Sequence, residues 1–120
     1  MKRIMIVEDN AVVAMHLKML LEQNGYLVIG KCTRGEDAIL MAESNSPDLI
    51  FMDIMLEGEV NGIDATHKIR KFSNAPIIFM SALTDENSLR QMNQFSNIKL
   101  TNKPFKELEL LSMTKQILGM

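Results

Sequence analysis

Three stretches of the chain are apolar at every position: Ile4-Met5-Ile6-Val7, Leu49-Ile50-Phe51-Met52 and Ile77-Ile78-Phe79-Met80. Runs of this kind are strands covered on both faces, as in the middle of a parallel sheet packed between helices. Two further runs, 26–32 and 97–101, carry Gly30, Lys31 and Lys99. They predict flanking strands that are less fully covered. Between the strands the apolar residues change to helical spacing. Asn10 is a candidate N-cap for a helix running to about residue 24, with Val13, Leu17, Leu20 and Leu21 on its inner face and Gly25 as its stop. Further helices are predicted over 35–44, 64–72, 85–94 and 106–118. Strands alternating with helices mean right-handed βα units, and five of them give an α/β three-layer sandwich with a five-stranded parallel sheet in the order 2-1-3-4-5. That order puts the three most apolar strands in the middle.

The chain has 120 residues, which suits one domain over 1–120. Net charge is −2, with 47% hydrophobic and 23% charged residues, the profile of an ordinary globular chain with no basic surface for bulk nucleic-acid binding. Apolar runs fall far short of the roughly 18 residues of a membrane span, and no secretory h-region opens the chain, so a cytoplasmic protein is expected. The single cysteine, Cys32, has no disulfide partner and no zinc-ligand neighbours, and is read as a small buried hydrophobe. The 11 methionines are scattered and serve as core fillers.

Chemistry collects where the strands end. Glu8 and Asp9 follow the first strand, Asp53 the third, Ser81 the fourth and Lys103 the fifth. In an open parallel sheet those C-terminal ends share one edge, where ligands bind. Two like charges about 4 Å apart repel by about 4 kcal/mol at an effective dielectric near 20. Three carboxylates against Lys103 leave a formal −2, which a divalent cation cancels. Hard oxygen donors around an open site favour Mg²⁺, with Asp9, Asp53 and the Met55 carbonyl as direct ligands and Glu8 beside them. The same residues suit phosphoryl transfer onto a carboxylate. Asp53 is the nucleophile, while Mg²⁺, Lys103 and the Ser81 hydroxyl face the developing oxygen charge.

Simpler readings exist for each piece. An acidic pair can merely open a helix, an aspartate after a strand can be a turn residue, and Ser81 or Lys103 can be solvated. Convergence on one edge is what favours the functional reading. His16 and His67 fall within predicted helices without matching partners, and Tyr26 is read as packing.

With these motifs the chain resembles the receiver domains of response regulators in two-component signalling, which have a flavodoxin-like fold. The resemblance rests on Glu8-Asp9 within Ile6-Val7-Glu8-Asp9-Asn10, Asp53 after its apolar strand, Ser81 in Phe79-Met80-Ser81-Ala82, and Lys103-Pro104-Phe105. It implies that Asp53 receives a phosphoryl group from a histidine kinase or a histidine phosphotransfer protein. Ser81 then turns towards the phosphate, the Lys103–Pro104 peptide is often cis, and the strand 4 to helix 5 face signals to a downstream protein or an output domain. Departures accompany the match. Glu8 is one methylene longer than the usual aspartate, residues 54–62 lack a common proline and carry Asn61-Gly62 for Asp-Gly, and Leu100 replaces the usual switch aromatic. Met55 and Leu83, both apolar, flank the expected path of hydrolytic water, so a long-lived phosphorylated form is expected, with a switch working through Ser81 and residues 84–94. Competing classes fit less well. A pseudo-receiver would not need Asp53, Asp9, Ser81 and Lys103. A haloacid-dehalogenase-type phosphatase needs Asp-x-Asp, and a flavin site would be repelled by Glu8-Asp9.

Overall fold

The computed structural model of the protein describes residues 1–82 and 86–119. Its elements alternate throughout: β1 (Arg3–Val7), α1 (Ala11–Gln23), β2 (Leu27–Cys32), α2 (Gly35–Asn45), β3 (Leu49–Asp53), α3 (Gly62–Ile69), β4 (Ile77–Ser81), α4 (Glu86–Met92), β5 (Ile98–Asn102) and α5 (Glu107–Leu118). All strand pairs are parallel, in the order β2-β1-β3-β4-β5. No helix among the described residues is long and apolar enough to cross a membrane.

The uniformly apolar strands feed two cores at once. Ile4, Ile6, Leu49, Phe51, Ile78 and Met80 pack on one face against Leu17 and Leu21 of α1 and Leu110 of α5. Met5, Val7, Ile50, Met52, Ile77 and Phe79 point the other way, against Ala38 of α2, Ile63 and Ile69 of α3 and Met92 of α4. The side-chain period of two along a strand divides each run between the layers. β1, β3 and β4 are therefore almost wholly buried, whereas β2 and β5 keep exposed positions, as their lysines foretell.

Local chemistry sets the helix ends. Asn10 Oδ1 accepts from the Val12 and Val13 amides at 3.0 and 3.1 Å, and Gly25 follows α1 at φ +88°. Three expectations need correction. Helix α3 spans Gly62–Ile69 and not 64–72, because Asn61 and Asp64 form a reciprocal capping box that starts the helix two residues early. Val13 is only half-buried, and Ala14 takes its place in the core beside Leu17. Cys32 is half-buried on the outer strand, with its thiol pushed up to about 11 by burial and by Asp37. Tyr26, by contrast, is packed in the core as expected.

A single glycine joins fold to site. The Gly62 amide donates to Ile54 O at 2.9 Å, and a Cβ at Gly62 would collide with the Asp53 carbonyl oxygen. A Gly→Ala change inside a helix ordinarily gains up to about 1 kcal/mol. Here the sign reverses: Gly62→Ala is expected to cost about 1–3 kcal/mol, the range for overpacking. Urea unfolding measures it, and a variant as stable as the parent contradicts the close approach.

Candidate functional site

Parallel strands in this order deliver the ends of β1, β3, β4 and β5 to one edge. Pairing of β1 with β3 sets Val7 beside Met52, so Glu8 and Asp53 leave adjacent strands together. On the other side the Lys103 amide donates to Ser81 O at 2.9 Å, tying the end of β5 to that of β4. The Lys103–Pro104 peptide is cis, as the resemblance implied.

These ends bring together the residues singled out from the sequence. Carboxylate oxygens of Glu8, Asp9 and Asp53 lie within 4.8 Å of one another. Glu8 is 1% exposed, Asp53 4% and Ser81 5%. The Lys103 ammonium lies 2.6 Å from Glu8 Oε1 and donates to Asp53 Oδ2 at 3.1 Å. Glu8 Oε2 accepts the Asn10 amide at 3.1 Å. Both oxygens of Glu8 are thus already engaged by the protein. Burial, followed by the neighbouring Asp53, raises the pKa of the Glu8 carboxyl above the ordinary range. For Lys103 burial pulls downwards, but hydrogen bonds to Glu8 and Asp53 outweigh it and leave the ammonium held above its usual value.

A cavity of about 260 Å³ opens over the cluster, lined by Asp9, Asp53, Ile54, Met55, Ser81, Ala82, Ser88 and Lys103. Met55 borders it as a residue 74% exposed, at the mouth of the cavity. Leu83, the second residue expected to keep water away, lies outside the described residues, as do positions 84 and 85 of the expected switch segment. Leu100 is half-buried and packs into the core layer that contains Phe95 and Met92. Ser88 carries no signal in the sequence, since a serine inside a short polar helix resembles a solvated one. His16, without a partner by sequence spacing, has its Nε2 2.8 Å from Glu107 Oε1, a pairing across 91 positions that spacing cannot reveal. His67 is exposed, with its ring edge-on to Phe95.

Three hard carboxylates converging beside one ammonium suit a small divalent cation better than a soft or redox metal. A five-stranded parallel sheet with an acidic triad, a hydroxyl and a lysine at its C-terminal edge defines a class: the phosphorylatable signalling domains. The chain belongs to the response regulator receiver domain family, whose profile matches residues 4–115. It is 30% identical over 110 residues to the transcriptional regulatory protein PdtaR of Mycobacterium tuberculosis, covering 92% of this chain and 53% of that protein. It is 42% identical over 83 residues to the chemotaxis protein CheY of Thermotoga maritima, covering 68% of each. A two-component response regulator from Clostridium difficile superposes with a TM-score of 0.91 at 27% identity, over 98% of this chain and 96% of that one. The chain spans about half the length of the first of these relatives.

The donor set leads to a direct test. Mg²⁺ titrated into the parent is expected to bind in the millimolar to sub-millimolar range of a partly hydrated, open site. Loss of outer-shell partners alone commonly costs about 10–100-fold in metal affinity, so Asp9→Ala is expected to lose at least about tenfold. Equal binding by parent and variant would place the metal elsewhere.

Proposed function

We propose that the chain is one phosphoacceptor receiver domain over residues 1–120, acting in the cytoplasm, in which Asp53 takes a phosphoryl group from a phosphohistidine. The donor is a sensor histidine kinase or a histidine phosphotransfer protein. The observation that carries this reading is the setting of Asp53: a buried carboxylate held at 3.1 Å by Lys103, in a carboxylate triad, at the floor of a cavity.

The step is an in-line displacement. An Asp53 carboxylate oxygen attacks phosphorus, the P–N bond of the phosphohistidine breaks, and its electron pair returns to the donor imidazole. Lys103 orients Asp53 beforehand and faces the charge that grows on the phosphoryl oxygens. Ser81 donates its hydroxyl to another of those oxygens. Asp9, Asp53 and the Met55 carbonyl would hold Mg²⁺, with Glu8, already engaged by Lys103 and Asn10, acting through water. When bound, the ion supplies positive charge against the acidic cluster and the transferring group.

Phosphorylation adds about −1.5 to −2 charge, which biases two packings of the β4-α4-β5-α5 face towards a downstream protein or an output domain. With net charge −2, direct nucleic-acid binding by this domain is not part of the proposal. Apolar Met55 at the mouth offers no hydrogen bond to an attacking water, so the acyl phosphate is expected to be long-lived.

Incubation with Mg²⁺ and a small phosphodonor such as acetyl phosphate, followed by intact-mass measurement, tests the chemistry. One phosphoryl group is expected on the parent, removable by hydroxylamine, and none on Asp53→Asn, which keeps the shape but loses the nucleophilic charge. A hydroxylamine-stable adduct, or one that survives in Asp53→Asn, rules this function out.

A further inference from the structure

Of the described residues that line the cavity over Asp53, Ser88 alone comes from a helix. The rest belong to strand ends and the loops after them. Helix α4 is seven residues long, about two turns, and isolated helices of that length are marginal in water. Its position therefore depends on what its inner face touches. Met92 is 2% exposed and Leu89 packs partly buried against the same core layer. Ser88 and Met92 stand four residues apart, one above the other on a helix. The face that anchors α4 through Met92 thus presents Ser88 to the cavity.

The rest of this region leaves a coupling to be explained. Leu100 is aliphatic and packs into the core, so it cannot hydrogen-bond to a phosphoryl group. A phosphoryl group brings three strong acceptor oxygens, each able to take more than one donor. Lys103 and Ser81 belong to the sheet edge and hold those oxygens to the sheet. Only a donor on α4 would tie them to that helix.

We propose that the Ser88 hydroxyl is a second serine donor to the phosphoryl group on Asp53, the contact through which phosphorylation pulls on α4. The inference rests on the proposed phosphorylation of Asp53 and adds the residue that carries the signal out of the site. It makes Ser88 a ligand of the phosphoryl oxygens and a positioning residue for α4.

Beryllofluoride with Mg²⁺, an acyl-phosphate mimic, provides the test, read by its affinity and by amide hydrogen exchange over residues 86–92. The parent is expected to gain protection in α4 on binding the mimic. Ser88→Ala, which favours the helix and so keeps the fold, is expected to lose most of that gain. It should also bind the mimic about tenfold more weakly, the scale of one hydrogen bond to a charged group. Ser88→Thr, which retains the hydroxyl, is expected to restore both. Parent-like affinity and α4 protection in Ser88→Ala overturn the inference, as does weaker binding with α4 protection unchanged. A longer-lived acyl phosphate in Ser88→Ala with unaltered mimic binding also overturns it, since the hydroxyl would then serve water. If the parent itself takes up no mimic, the phosphoacceptor reading fails, whereas equal uptake by parent and Ser88→Ala removes this inference alone.

Discussion

Three carboxylates held within 4.8 Å of one another, with one ammonium among them, are the constraint around which this molecule is built. Each like-charge contact of this kind opposes folding by kilocalories even in a screened environment. Lys103 offsets part of that repulsion by approaching both Glu8 and Asp53, and it does so with only 18% of its side chain exposed. The remaining negative charge is a stored preference for positive charge from outside. A divalent cation would relieve it, and under the proposed function a phosphoryl group would meet a pocket already prepared for its charge.

Holding such a cluster together needs a frame that does not yield. The five-stranded sheet supplies it, because β1, β3 and β4, which end at the cluster, are almost wholly buried between the helix layers. Two backbone hydrogen bonds extend that frame past the strands. Gly62 N–H to Ile54 O seats α3 against the Asp53 carbonyl, and Lys103 N–H to Ser81 O locks the lysine to β4. Opposite this stiff floor stands α4, anchored by Met92 and Leu89 and contributing Ser88 to the cavity wall. The contrast between a fixed floor and a lightly held wall is what a switch requires.

Much of this was legible in the residues themselves. Apolar quartets at 4–7, 49–52 and 77–80 can only be central strands, and parallel topology then forces Asp9, Asp53, Ser81 and Lys103 to one edge. What stayed hidden depended on tertiary distance. Glu8 reads in sequence as a carboxylate beside the metal ligands, and only the fold shows that it also pairs with Lys103 and accepts the Asn10 amide. The His16 to Glu107 contact joins α1 to α5 with no local signal. Ser88 gives no cue until the helix is placed and Met92 is seen beneath it. The early start of α3 was within reach, since Asn61 and Asp64 have capping-box spacing, but the loop chemistry of Asn61-Gly62 masked it.

The charge balance at the cluster can be tested by the sign of one change. Lys103→Met removes the ammonium while keeping much of the packing volume, and Mg²⁺ affinity and Mg²⁺-free stability are measured beside the parent. If the lysine and the cation neutralise the same carboxylates, the variant loses stability without Mg²⁺, by about 3–5 kcal/mol if it behaves as a broken buried ion pair. Its Mg²⁺ affinity then rises, because more negative charge is left to cancel. A variant that binds Mg²⁺ no better than the parent, or is equally stable without it, would contradict the electrostatic account of the site.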